Sequence, residues 1–385
     1  MTIQATDFIQ AACDRGYDFF AGVPCSFIKP LINGVIRSDA LTYVGAASEG
    51  EVLGITTGAW IAGSGTVAMC QNSGFGNMVN PLTSLNRPFG VPTLLVTTWR
   101  GQPGVPDEPQ HEQMGRILLD LIQCLELDWR WFPDEPSEVD AAVGEAIALT
   151  ERTRRPVVLV MKQGTVAASP DIPDGVRSGP AGQVLDQRRG GGVPTRREAL
   201  ATVLETWASA PVIATTGMTG RELFTLDDRP NHLYTVGSMG CASAIGLGMS
   251  LGYRKRGLAT RVLVIDGDGA ALMKLGNLST IGREQPESLV HLLLNNGTHD
   301  STGGQHTAGL LVDFATVAVA CGYRTGGRVD DAAGLADALA AAAAAPGPHL
   351  IEVTIQAGSS PGVGRPTVSP REVIDRFRGT VGGAA

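Results

Sequence analysis

The stretch VLVIDGDGAALMKLGNLSTIGREQPESLVHLLLNNGTHDS, residues 262–301, decides the fold. It opens on a continuous apolar run, Val262–Ile265, and turns through Gly267-Asp268-Gly269 into a helical pattern over Leu272–Ile281. A second apolar run, Leu289–Leu294, then leads to Asn295-Asn296-Gly297-Thr298. Runs without polar alternation are what parallel strands require when helices cover both faces of their sheet. In open α/β sheets ligands gather at the carboxyl ends of strands, where both turns fall. Asp268 offers a carboxylate there, Asn296 an amide oxygen and Thr298 a carbonyl. Mg²⁺ takes such hard oxygens and completes its octahedron with water and phosphate oxygens. Gly267 and Gly269 leave room for a diphosphate, and N–H groups at the start of the following helix, from Ala270 on, can bind its charge. Taken singly, both turns are common chemistry. Following two buried strands, with one helix and 25 residues between Gly269 and Asn295, they jointly describe a metal–diphosphate site.

The same alternation extends outward on both sides. Strands are expected at Pro211–Thr215 and His349–Ile355, with helices after Gly240, at Val312–Cys321 and at Asp331–Ala345. Towards the N-terminus, strands are expected at Tyr17–Ala21, Leu41–Val44, Thr66–Cys70, Thr93–Thr97 and Pro156–Val160. Helices are expected from about Ser26, at Glu49–Ile61, after Gly76 and around Gln110–Cys124. Between Gln163 and Pro194 the chain is rich in Gly, Pro, Ser and charge without a hydrophobic period, which reads as a linker. The fold class is therefore α/β: two doubly wound parallel-sheet domains, 1–165 and 195–385, joined by a linker at 166–194.

Composition narrows the function. Of 385 residues, 43% are hydrophobic and 18% charged, which suits large buried cores. A net charge of −8 provides no basic face, so nucleic acid is not an expected partner. The N-terminus lacks the charged and apolar regions of a signal peptide, and no apolar run reaches the roughly 18 residues a membrane span needs. Six cysteines without a CxxC pair fit reduced thiols, and the expected location is cytoplasmic.

The GDG turn followed by NN resembles the thiamine-diphosphate signature of the 2-oxo-acid decarboxylase and acetolactate synthase superfamily. The resemblance implies aminopyrimidine-binding (PYR-type) and diphosphate-binding (PP-type) domains. It also implies Asp268, Asn296 and the Thr298 carbonyl as Mg²⁺ ligands. Gly237-Ser238-Met239-Gly240 resembles the loop contacting the aminopyrimidine, with Met239 as the apolar wedge that bends the cofactor. Thr216, Gly217, Gly267, Gly269, Ala270 and Asn72 complete the implied cofactor contacts. Superfamily members place a catalytic glutamate nine residues before a Gly-Tyr-Ala-like turn, and Glu49 stands nine before Gly58-Ala59-Trp60. Glu49 is thus the acid expected against N1′, and Glu51 should point away. A helix N-terminus favours both carboxylates in any case. In this superfamily the first domain of one subunit caps the cofactor of another, so the implied assembly is a homodimer or larger homo-oligomer with active sites at the subunit interface.

Long runs narrow the resemblance to the phosphonopyruvate and sulfopyruvate decarboxylase family: Gly22-Val23-Pro24-Cys25-Ser26, Gln71-Asn72-Ser73-Gly74, Asp107-Glu108-Pro109-Gln110-His111 and Asp300-Ser301-Thr302-Gly303-Gly304-Gln305. Ser26, Gln71, Ser73, Ser301, Thr302 and Gln305 supply neutral donors for an anionic substrate, and Arg100 and His111 supply cationic contacts. The resemblance implies decarboxylation of a small 2-oxo acid, with 3-phosphonopyruvate giving phosphonoacetaldehyde and CO₂, and His111 or His299 returning a proton. Sulfopyruvate decarboxylation, acetolactate synthase-like ligation and a silent cofactor-binding homologue are the alternatives. Gln102 stands where the family pattern has Glu, and Ser360 where it has Arg.

Overall fold

Continuous apolar runs become buried parallel strands in the computed structural model, which describes residues 2–172 and 181–382. The chain divides into two units, Met1–Val176 and Arg177–Ala385. In the first, strands β1 (Tyr17–Gly22), β2 (Thr42–Gly45), β3 (Gly65–Cys70), β4 (Leu94–Thr98), β5 (Asp128–Trp131) and β6 (Val157–Met161) form one sheet in the order β2-β1-β3-β4-β6-β5. Every pair is parallel, and β4 and β6 are buried at every position. The chain steps from β1 outward to β2, then back across to β3. That reversal is a topological switch point, where such sheets leave a crevice beyond the strand ends.

The helix Glu49–Ile61 follows β2 and has the expected bounds. All its residues after Glu49 are buried, as suits a helix apolar on every side. The helix after β3 begins at Asn72, ahead of the expected start beyond Gly76. Within it Gly74 is a point of close approach: a Cβ there would meet the Glu49 carboxyl group. The helices Ala5–Cys13 and Val139–Thr153 and the edge strand β5 were not expected from the pattern. β5 reads DWRW and is mostly exposed, so it lacks the apolar run that marks a central strand.

In the second unit the strands are β7 (Gln183–Asp186), β8 (Val212–Ala214), β9 (His232–Tyr234), β10 (Val262–Gly267), β11 (Leu289–Asn295), the short hairpin pair β12 (Thr298–His299) and β13 (Gln305–His306), β14 (Thr325–Val329) and β15 (His349–Thr354). The main sheet runs β7-β14-β15-β11-β10-β8-β9, parallel throughout. Here the order reverses between β8 and β10, and Gly267 aligns with Leu294 of β11. The GDG and NNG turns therefore leave neighbouring strand tips beside the switch point.

Two expectations are corrected. Part of the stretch read as linker is β7, an edge strand on β14; its ends are exposed, so composition hid it. The remainder of that stretch from 173 to 180 lies outside the described residues. The helix expected over Leu272–Ile281 is two helices, Asp268–Met273 and Asn277–Glu284. Gly276, a weak helix former, lies in the break. The buried Asn277 side chain donates to the Gly240 carbonyl at 2.9 Å and to Ser243 Oγ at 3.0 Å, anchoring the second helix separately. Among the described residues no helix is long and apolar enough to cross a membrane.

Candidate active site

In the first unit the residues singled out by sequence follow the carboxyl ends of successive strands: Ser26 after β1, Glu49 after β2, Gln71 to Ser73 after β3 and Arg100 after β4. Glu49 is half-buried in the first turn of its helix. Its Oε2 accepts a hydrogen bond from Asn77 Nδ2 at 2.8 Å, and Gly74 lies against the carboxyl group. Glu51 takes another direction. It is fully buried, and its Oε2 accepts the Ala47 N–H at 2.7 Å. One carboxylate secures the helix entry while the other lies over the helix Asn72–Pro81. Asn77 was missed by sequence reading; it stands one turn beyond Gly74 and only the fold brings it to Glu49.

Gly74→Ala tests that close approach. The added methyl meets the movable end of Glu49 rather than backbone, so the fold should persist while the carboxylate is displaced. Misplacing a reacting group by about 1 Å costs roughly 10²-fold. We expect a kcat loss of about that size with an unchanged circular dichroism spectrum; full activity would remove Glu49 from the chemistry.

Arg100, expected as a cationic substrate contact, is ion-paired with Asp107. Its guanidinium grips Asp107 at 2.5–3.1 Å, donates to Ser26 Oγ at 3.0 Å and lies 4.4 Å from the Phe27 ring centre. Asp107 also accepts from the N–H groups of Gly101 and Glu108 and approaches His111 Nδ1 at 2.9 Å. Arg100 first, against the opposing effect of burial, holds the Asp107 carboxyl well below the usual range, with His111 and the two N–H groups adding to it. The carboxylate accepts at His111 Nδ1, which fixes the tautomer with a proton on that nitrogen. Asn72 is buried and donates through Nδ2 to the Arg100 carbonyl at 2.8 Å, while Gln71 donates to Ser73 Oγ at 2.6 Å.

In the second unit Thr216, Gly217, Met239, Gly267, Asp268, Gly269, Ala270, Asn296, Thr298, His299 and Ser301 line one cavity together with Arg196 and Asp300. Gly237 and Ser238 lead into Met239, with Ser238 at φ 50° and Gly240 at φ 89° bending the chain sharply. A Cβ at Gly269 would strike the His299 ring and touch Met239 Cε, whereas one at Gly267 would meet nothing within 4 Å. The turn is thus tight on one side and open on the other. Asp268 is buried at 2% exposure. Burial raises its pKa, against hydrogen bonds from the Thr307 hydroxyl and the N–H groups of Gly269 and Asn296. Asn296 donates through Nδ2 to Asp300 Oδ2 at 2.7 Å, and its Oδ1 accepts the Thr298 N–H at 3.1 Å. Thr302 and Gln305 are exposed and bond each other across the β12–β13 turn.

This donor set has a chemical consequence. Among the described residues lining the cavity, Arg196 is the only Arg or Lys, and its guanidinium already faces Asp300 and Glu222. A diphosphate brought beside Asp268 and Asp300 needs an intervening cation. The oxygens of Asp268, Asn296 and Thr298 are the hard ligands Mg²⁺ prefers. Among the described residues no group of three or more His, Cys, Asp or Glu is placed to hold a metal, so a site here rests on amide and carbonyl oxygens beside one carboxylate.

Residues 213–353 match the family of the thiamine pyrophosphate enzyme C-terminal TPP-binding domain, a range that includes every residue named above as lining this cavity except Arg196. The whole fold resembles the benzoylformate decarboxylase of Polynucleobacter necessarius, with a TM-score of 0.71 at 12% identity over 94% of this chain and 100% of that one. The second unit thus carries the TPP-binding domain of the thiamine pyrophosphate enzymes. The chain is 45% identical over 383 residues to the phosphonopyruvate decarboxylase of Streptomyces viridochromogenes, covering 98% of this chain and 95% of that protein. It is 28% identical to the sulfopyruvate decarboxylase of Methanosarcina acetivorans, over 97% of this chain and 96% of that protein. The chain belongs to the phosphonopyruvate decarboxylase family.

Proposed function

We propose that this protein catalyses the thiamine-diphosphate- and Mg²⁺-dependent decarboxylation of 3-phosphonopyruvate to phosphonoacetaldehyde and CO₂. The observation that carries this reading is the 45% identity, over nearly the full length of both chains, to a phosphonopyruvate decarboxylase. The sulfopyruvate relative matches over a similar length at 28%.

Each half of the chain supports a distinct task. Asp268, the Asn296 amide oxygen and the Thr298 carbonyl would hold Mg²⁺, and the N–H of Ala270 would serve the diphosphate, with Thr216 and Gly217 lining the same cavity. Met239, beside Gly269, gives the cofactor an apolar wall. When bound, thiamine diphosphate supplies a carbon nucleophile and an electron sink for the bond that releases CO₂. Glu49 holds a proton against N1′ of the aminopyrimidine, and Asn77 fixes the direction of that carboxyl group. His299, on the cavity wall, and His111, oriented by Asp107, are the two candidates to return a proton to carbon. Ser26, Gln71, Ser73, Ser301, Thr302 and Gln305 provide donors for the substrate's anionic groups, while Arg100 acts through the Asp107 cluster. The working assembly in this reading is a homo-oligomer.

The test is decarboxylation of phosphonopyruvate, sulfopyruvate and pyruvate by the purified protein with thiamine diphosphate and Mg²⁺, followed by phosphorus NMR and CO₂ release. Phosphonoacetaldehyde with kcat/KM highest for phosphonopyruvate is expected. Preference for sulfopyruvate would overturn the substrate, a ligated product would overturn the outcome, and no CO₂ from any of the three would overturn the enzymatic reading.

A further inference from the structure

Three buried charges stand behind the loop that carries Asn296 and Thr298. Arg196, at the start of the helix Arg196–Thr206, is 5% exposed, and Glu222 is 1% exposed. The Asp300 side chain is 7% exposed. Arg196 Nη1 donates to Glu222 Oε1 and to the Gly358 carbonyl, each at 3.0 Å, and Nη2 donates to Asp300 Oδ2. Asp300 accepts from Asn296 Nδ2 at 2.7 Å, from Thr298 Oγ1 at 2.8 Å and from the Gly358 N–H at 3.2 Å. Glu222 accepts the Ser360 N–H at 3.3 Å. One carboxylate therefore holds the side chains of both residues that follow β11 into the cavity, and one arginine holds that carboxylate.

We infer that Asp300 is a positioning residue for the metal-binding loop and that Arg196 locks Asp300 in place; this rests on the metal reading proposed above. An asparagine amide can present either its oxygen or its nitrogen to a cation. Asp300, which only accepts when ionised, takes the Asn296 nitrogen and leaves Oδ1 on the opposite side. The bond to Thr298 Oγ1 fixes that residue as well, and with it the direction of its carbonyl. Outer partners of this kind orient metal ligands, and their loss typically costs about 10–100-fold in metal affinity. The same hub grips the backbone of Gly358 and Ser360. The segment around Ser360 is held through its main chain, by Arg196, Asp300 and Glu222.

Asp300→Asn tests the inference, because it keeps the shape and replaces one acceptor oxygen by a donor. On the Oδ2 side that donor meets Asn296 Nδ2 and Arg196 Nη2; on the Oδ1 side it meets the Gly358 N–H and forces the Thr298 hydroxyl to turn from donor to acceptor, and either way the loop loses the charge that Arg196 holds. The apparent Mg²⁺ midpoint is read from the thermal shift of the full chain at fixed thiamine diphosphate, and separately from Mg²⁺ dependence of turnover. The expected result is a midpoint raised about 10–100-fold, with kcat largely recovered at saturating Mg²⁺. Arg196→Lys, which keeps the charge but cannot span Asp300, Glu222 and Gly358 together, should raise the midpoint in the same direction. A lower melting temperature without cofactor and an unmoved Mg²⁺ midpoint in both variants would assign the hub to stability alone and overturn the inference. A wild type that gains nothing from Mg²⁺ would overturn this inference and the metal reading together.

Discussion

Glu49→Gln is expected to leave the fold and Mg²⁺ binding intact while slowing turnover by about 10²–10⁴-fold, the usual contribution of general acid–base assistance. The carboxyl group is half-buried at a helix N-terminus, with one oxygen held by Asn77. A glutamine oxygen can keep that bond, so neither packing nor helix entry should suffer. What the amide cannot do is take up or give back the proton at N1′. The decisive measurement is hydrogen–deuterium exchange at C2 of bound thiamine diphosphate, which reports cofactor activation before any substrate is present. Glu51→Gln is the contrasting variant. Glu51 caps the Ala47 N–H at 2.7 Å, a bond that an amide oxygen can also accept, so exchange should continue at the wild-type rate. If Glu51→Gln silences exchange and Glu49→Gln leaves it intact, the assignment is displaced by two residues. Normal exchange and turnover in both would remove carboxylate-assisted activation altogether.

Most central strands were legible in the sequence because burial on both faces favours an apolar run: TLLVTT and LVHLLL became β4 and β11 within one residue at either end, whereas the central strand β14, TGGRV, was hidden by its glycines and Arg328. Of the four edge strands of the two large sheets only β2 was read. β5 and β7 are exposed at their ends, and β9 is only three residues long, so pairing rather than composition makes them strands. At the site, the turns after β10 and β11 could be read because special backbone and oxygen ligands require particular residues at short range. The supporting charges could not. Arg196 lies 104 residues from Asp300 and carries no local signal beyond a helix-capping pattern, and Asn77 reaches Glu49 across 28 residues. Arg100 has a partner that the sequence left unread. Its position after β4 suggested an anion contact, and only the fold brings Asp107 to neutralise it.

Asp268→Ala should abolish the stabilisation that thiamine diphosphate and Mg²⁺ confer together. In the wild type the carboxylate sits in a nearly closed position: Thr307 and the N–H groups of Gly269 and Asn296 surround it, and a Cβ on Gly309 would strike it. Burial already raises its pKa, so a divalent cation gains an incompletely solvated charge at short range. Removing it leaves two neutral oxygens, from Asn296 and Thr298, too few to hold Mg²⁺ against water. At about 100 times Kd a ligand stabilises the folded state by about 2.7 kcal/mol, which for a unit of this size corresponds to a melting shift of roughly 5–10 °C. The variant should show none of it. Stability without ligand is a poor readout, because two N–H groups lose their acceptor at about 1–3 kcal/mol each unless water replaces it. The quantity to compare is therefore the difference between scans with and without thiamine diphosphate plus Mg²⁺ for each protein. A variant that gains as much as the wild type would take Asp268 out of the metal site, and with it the reading of the GDG turn on which the cavity assignment stands.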